Sequence, residues 1–187
     1  MPDAHFNPSR RKSRRRALDV LRRRRPPALV LVVCHGNICR SPFAAGLLAR
    51  DLAPAGVRIE SAGFIGPGRS CPPDAVTAAA RRGVDLSAHR SALLTAALAR
   101  SADLILVMDE AQGRAIRERF GRAPGDIVVL GDLDPATTAT RVIRDPVAQD
   151  LAVFVESYAR IERCVAALVA ALALPRRSSV ATGDRCP

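Results

Sequence analysis

The chain has 187 residues, 48% of them hydrophobic and 25% charged, with a formal net charge of +11 and five cysteines. That length suits one well-formed core, and no run of 18 or more apolar residues offers a membrane span. An odd number of cysteines without metal-ligand spacing argues against a secreted disulfide framework, implies no metal and favours a cytoplasmic setting.

The charge is unevenly spread. Residues 1–27 hold ten basic and two acidic side chains, so eight of the eleven excess charges lie there. Two arginine clusters flank the short stretch Ala17-Leu18-Asp19-Val20-Leu21. The segment reads as a basic disordered tail, or as the product of a translation start placed ahead of a real one near Ala28. A lesser reading makes it an arm for nucleic acid or an anionic surface. Lys12 is the single lysine among 29 basic residues, an imbalance that a GC-rich coding sequence produces without selection for binding. The tail lacks an apolar stretch long enough for a secretory signal.

A strand is predicted over residues 29–33, and a helix over 41–53 with Phe43, Leu47, Leu48 and Leu52 turned to the core. Between them runs Cys34-His35-Gly36-Asn37-Ile38-Cys39-Arg40-Ser41-Pro42. A loop entering a helix start can aim several free N–H groups at one dianion, and the helix dipole adds partial positive charge. Arg40 offers a planar fork for two phosphoryl oxygens, and the same positive surroundings favour a nucleophilic thiolate at Cys34. Gly36 allows close backbone approach, and Asn37 tolerates a left-handed turn. Ser41 is read as the helix N-cap and as a donor to the departing sulfur, with Pro42 in the first turn. The chemistry this pattern suggests is displacement on phosphorus.

Further apolar runs at 57–61, 104–108 and 127–130 read as buried parallel strands. Helices are predicted at 73–82, with Gly83 as the stop, and at 91–100, 110–120 and 147–172. In the last, Leu151, Phe154, Tyr158, Ile161, Val165, Leu168 and Leu172 recur at steps of three and four, the mark of a core face. Asp109 is either an N-cap or a group at the ligand edge of the sheet. The alternation of strands and helices argues for an α/β fold, a doubly wound four-stranded parallel sheet with helices on both faces.

With the loop, four more segments complete a resemblance: Ser61-Ala62-Gly63, Gly83-Val84-Asp85-Leu86-Ser87-Ala88-His89, Ala102 through Asp109, and Asp145-Pro146. In order and spacing the chain resembles the low-molecular-weight protein tyrosine phosphatases over residues 29–172. The resemblance implies a flavodoxin-like phosphatase domain over 28–174; the polar segment 175–187 reads as a disordered tail. It implies hydrolysis of phosphotyrosine in proteins, and of small aryl phosphates, with inorganic phosphate as product and no metal or cofactor. Cys34 would form a phosphocysteine, Arg40 would bind the phosphoryl group, and Asp145 would act as general acid and then base. The phosphate-binding loop would comprise His35, Gly36, Asn37, Ile38, Cys39, Arg40 and Ser41. Asn37, Ser41, Ser61 and His89 would hold it in shape. Cys39 would either trap Cys34 as a disulfide, as the matching family cysteine can, or simply lie buried against the sheet.

Val147 and Ala148 stand where the family often carries an aromatic wall, so ring stacking from that side is expected to be absent. An arsenate reductase on the same scaffold is the nearest enzyme alternative. It needs two further cysteines on a mobile segment, and none lies between Cys71 and Cys164. An alternative from another class is a polyanion-binding protein acting through Arg10 to Arg25; a third, a degenerate enzyme that binds phosphotyrosine without turnover, is opposed by the retention of Cys34, Arg40, Ser41 and Asp145.

Overall fold

The computed structural model describes residues 8–136 and 138–172. Four parallel strands, β1 (Leu29–Cys34), β2 (Arg58–Gly63), β3 (Leu104–Val107) and β4 (Ile127–Val129), form one sheet in the order β2-β1-β3-β4. Central β1 pairs with β2 from Leu29↔Arg58 to Cys34↔Gly63, and with β3 from Val30↔Leu104 to Val33↔Val107. Both neighbours of β1 come later in the chain, one on each side. The chain therefore reverses direction across the sheet at β1, where a crevice opens beyond the strand ends.

All six residues of β1 and all four of β3 are buried, as expected of strands covered on both faces. Side chains alternate between two cores. Val30, Val32, Cys34, Leu104 and Leu106 join the core shared with α1 (Pro8–Arg23), α2 (Arg40–Leu52), α3 (Pro73–Ala80) and α6 (Leu151–Leu172). Leu29, Leu31, Val33, Ile105 and Val107 face the smaller core under α4 (Ala96–Ser101) and α5 (Glu110–Phe120). The doubly wound, flavodoxin-like arrangement read from the sequence is the one observed.

On α6, Phe154, Tyr158, Ile161, Val165 and Leu168 are buried, each stabilising by about 1.5–3 kcal/mol relative to exposure. The helix begins at Leu151 rather than at 147, because Asp145 starts a turn. Its Oδ1 accepts the Val147 N–H at 3.2 Å, and Ala148 takes a positive φ of 57°. The helix predicted over 91–100 is likewise shorter. Its first residues are extended, with Gly63 N–H donating to the Ala92 carbonyl and Leu94 N–H to the Gly63 carbonyl. Helix α4 then starts behind Thr95, whose hydroxyl accepts the Leu98 N–H.

The largest departure is at the N-terminus. Within the segment read as a disordered tail, Pro8–Arg23 form α1, because its apolar stretch has a core to enter: Leu18 and Leu21 are buried against the main cluster. Arg24 donates to the Asp103 carbonyl, and Asp103 Oδ2 accepts the N–H groups of Ala28 and Leu29 at 2.8 and 2.9 Å. The tail expected over 175–187 lies outside the described residues.

Candidate active site

Strand β1 ends at Cys34 and α2 begins at Arg40, so the intervening loop lies at the carboxyl edge of the sheet, against the positive end of a helix. Asn37 is the hub of this loop. Fully buried, it adopts the left-handed φ of 53° that asparagine tolerates better than most residues. Its Nδ2 donates to Ser41 Oγ and to Ser61 Oγ, both at 2.9 Å, and its Oδ1 accepts the Ala92 N–H at 2.7 Å. The His89 ring lies 2.8 Å from the Asn37 carbonyl through Nε2, which must therefore carry the proton. A tight turn delivers that histidine: Asp85 Oδ1 accepts the Ser87 N–H at 2.8 Å, and the His89 N–H donates to the Leu86 carbonyl. Asn37, Ser41, Ser61 and His89 are thus brought into one network.

At its centre is the Cys34 sulfur. The Asn37 N–H points at Sγ from 3.2 Å, and Ser41 Oγ lies 3.0 Å from it. The Asn37 N–H is thus a donor aimed at sulfur, and the Ser41 hydroxyl can donate to it or accept from it. Ser41 does not cap α2. The cap position is Cys39, which makes no side-chain cap bond, and the serine hydroxyl is drawn inward to the sulfur instead.

Gly63, the last residue of β2, lies flush against the loop. A Cβ there would fall 2.8 Å from the Asn37 nitrogen and 2.9 Å from the His35 carbonyl oxygen. These are backbone atoms with no freedom to withdraw, so the glycine is a steric requirement.

Arg40 is 3% exposed. Its Nη1 donates to the Ile143 carbonyl at 3.0 Å and its Nη2 pairs with Asp145 Oδ2. The fork and the distant carboxylate therefore meet, although more than a hundred residues separate them in the chain. Cys34, His35, Gly36, Ile38, Cys39, Arg40, Ile65, Arg69, Asp145 and Val147 line one cleft of about 100 Å³. His35 is exposed at the rim, and its carbonyl accepts the Phe64 N–H at 2.8 Å.

Three contributors escape the sequence reading. Tyr158, assigned there to the core alone, stacks on Phe43 with ring centroids 4.0 Å apart and donates its hydroxyl to the Cys39 carbonyl at 3.1 Å. Burial above all, followed by the neighbouring cysteines, pushes its phenol up, so it stays a donor. Arg69 Nη2 donates to the Gly36 carbonyl at 2.7 Å and braces the loop from outside. Ile65, 42% exposed, is the third, and with Val147, 43% exposed and already singled out in the sequence, it gives the cleft an aliphatic mouth. No phenylalanine, tyrosine or tryptophan is among the described residues that line it. Sequence signal for Tyr158 and Ile65 is absent, since one obeys the helix period and the other is an apolar residue in a loop.

One open alternative resolves. Asp109 is the N-cap of α5, with Oδ1 accepting the Gln112 N–H and Oδ2 the Gln112 side-chain amide, both at 2.8 Å. Cys39 is buried, and desolvation first, then Asp145 and Cys34, push its thiol far up. No group of three or more potential metal ligands occurs among the described residues.

The model of the low molecular weight phosphotyrosine protein phosphatase family matches residues 29–178. The probable low molecular weight protein-tyrosine-phosphatase EpsP of Ralstonia nicotianae is 43% identical over 142 residues, which span 75% of this chain and 92% of the relative. The phosphatase Etp of Escherichia coli K12 is 36% identical over 136 residues, spanning 72% and 87%. Among solved structures, the Erwinia amylovora tyrosine phosphatase AmsI superposes with a TM-score of 0.72 at 32% identity, covering 79% of this chain and 94% of that one. The YwlE arginine phosphatase of Geobacillus stearothermophilus gives 0.69 at 31% identity, covering 78% and 93%. With a nucleophile-bearing anion loop at the sheet's ligand edge and relatives matched over nearly their whole length, the chain belongs to the low molecular weight phosphotyrosine protein phosphatases and is a cysteine-based enzyme of that family.

Proposed function

We propose that the enzyme hydrolyses phosphotyrosine in proteins by two displacements on Cys34. The cysteine sulfur attacks phosphorus while Asp145 gives its proton to the departing phenolate oxygen. Arg40 and the loop N–H groups carry the charge that spreads over the equatorial oxygens. Asp145, now a carboxylate, then takes a proton from water attacking the phosphocysteine, releasing inorganic phosphate, and the Ser41 hydroxyl stabilises the leaving thiolate. The observation that carries this reading is the convergence on one cleft of a donor-surrounded Cys34 Sγ, the Arg40 fork and the Asp145 carboxylate. Ile65 and Val147 offer aliphatic surfaces to grip the ring.

Four free thiols among the described residues support a reducing compartment, the cytoplasm. No helix among the described residues is long and apolar enough to cross a membrane. Cys39 is the thiol on the same loop that can condense with an oxidised Cys34 and so protect it from further oxidation.

The test is hydrolysis of p-nitrophenyl phosphate and a phosphotyrosine peptide, with EDTA present, by wild type, Cys34→Ser and Asp145→Asn. Turnover abolished by Cys34→Ser and lowered by Asp145→Asn bears the reading out. An inert wild type with reduced thiols sinks it. Faster turnover of a phosphoarginine protein would move the substrate to the class named for YwlE.

A further inference from the structure

The family match begins at residue 29, so α1 lies outside it. Arg10 of α1 nevertheless reaches deep into the domain. Its Nη1 lies 2.8 Å from Asp132 Oδ1 and its Nη2 2.7 Å from the Gly131 carbonyl. Asp132 sits in the tight turn Leu130–Leu133 that follows β4, with a side chain only 6% exposed. Its second partner is Arg141, which donates through Nε to Oδ1 at 2.7 Å and through Nη2 to Oδ2 at 2.6 Å. The turn also abuts the backbone of Arg141: a Cβ on Gly131 would fall 2.0 Å from the Arg141 carbonyl oxygen.

Arg141 opens the segment that ends at Asp145, and every residue on the way has a fixed partner. The Val142 carbonyl accepts from Arg160 Nη1 at 2.7 Å. The Ile143 N–H donates to the Met108 carbonyl at 3.0 Å, and its own carbonyl accepts from Arg40 Nη1. The Arg144 carbonyl accepts from Ser157 Oγ at 2.9 Å. The Asp132 carboxylate is the point where this run is tied to α1. A buried carboxylate shared by two guanidinium groups is held in one orientation by both, and loss of either partner leaves charge poorly compensated in a desolvated site.

We propose that α1 is a strut for the catalytic acid. Through Arg10 and Asp132 it fixes Arg141, and with it the segment that sets where the Asp145 carboxyl stands over the cleft. Arg10, Asp132 and Arg141 are then positioning residues for proton transfer, contributed in part by a helix that the matched family region does not include. The proposal rests on the reading of Asp145 as general acid.

A misplaced acid has a signature that lost stability lacks. Phenyl phosphate expels a phenolate whose conjugate acid has a pKa of about 10 and needs the proton. The dinitrophenolate of 2,4-dinitrophenyl phosphate leaves without it. The experiment measures kcat/KM for both substrates, from pH 5 to 8, in the full-length wild type, Arg10→Gln, Arg10→Lys, Asp132→Asn and Asp145→Asn. General acid catalysis is worth about 10²–10⁴-fold, so partial misplacement should cost Arg10→Gln and Asp132→Asn about 5–20-fold on phenyl phosphate. On the dinitrophenyl ester the loss should be under about 2-fold, since that step does not draw on the acid. Arg10→Lys, which keeps the charge, should recover most of the difference.

Equal losses on both substrates, or none, overturn the strut. If Asp145→Asn itself fails to discriminate between the esters, the general-acid reading falls instead. Should Asp132→Asn not fold, Arg10→Gln still decides, because it leaves the Asp132–Arg141 pair in place.

Discussion

Asn37→Ala puts the loop architecture to its sharpest test. The substitution removes three side-chain hydrogen bonds at 2.7–2.9 Å from a fully buried position. Each is worth about 0.5–1.5 kcal/mol net, so the expected loss is about 3 kcal/mol. Alanine must also adopt the left-handed conformation at φ 53°, which costs about 1 kcal/mol more. Asn37→Gly loses the same bonds without that strain, and should be the more stable of the two by about 1 kcal/mol. Against a typical domain stability of about 5–15 kcal/mol, both variants should fold and be measurably weakened. Urea unfolding at neutral pH gives the stabilities, and kcat/KM for p-nitrophenyl phosphate should fall at least about 100-fold in both, as a misplacement near 1 Å does. An alanine variant within about 1 kcal/mol of wild type would refute the hub. An alanine variant more stable than the glycine one would refute the conformational argument.

Two further outcomes follow from buried groups. Tyr158→Phe keeps the stack on Phe43 but deletes the hydroxyl that serves the Cys39 carbonyl. It should cost about 1–3 kcal/mol in urea unfolding with an unchanged m-value, and an unaltered midpoint would show that the bond contributes nothing. Burial pushes the Cys71 thiol up to about 11 and the Cys164 thiol up to about 12, against an ordinary value of 9.0. The folded state thus holds these protons more tightly than the unfolded chain. Their contribution is fully present below pH 9 and is lost as pH rises through 11 to 12. For Cys164 the share of the slope in that window is about 1.4 kcal/mol per pH unit, and Cys164→Ala should lower the slope by about that much in unfolding measured from pH 8 to 11. A wild-type curve that stays level across that range would contradict the assignment.

Much of the molecule is legible in the sequence because its signals are local. The buried strands are short apolar runs, α6 carries an unbroken helical period, and Cys34 to Ser41 state their chemistry within a few residues. What escapes depends on partners far along the chain. A polybasic stretch such as residues 9–25 looks solvated until Leu18 and Leu21 find a core and Arg10 finds Asp132. Ser91 through Leu94 carry enough apolar character for a helix, but the free edge at Gly63 claims their backbone for extended pairing. The junction of Arg40 with Asp145 came from family likeness rather than from any pattern in the residues, since no local rule brings the two together.

The docking of Ala92 and Leu94 onto Gly63 also carries a kinetic consequence. The cradle is closed by segments 24, 52 and 55 residues away from Asn37, so it cannot take shape from its own short stretch of chain. Contacts of such separation form after local helices, once the entropy of closing long loops has been met. Catalytic competence should therefore return last during refolding, behind the recovery of helical circular dichroism. Turnover would then serve as a stopwatch for the final step of assembly.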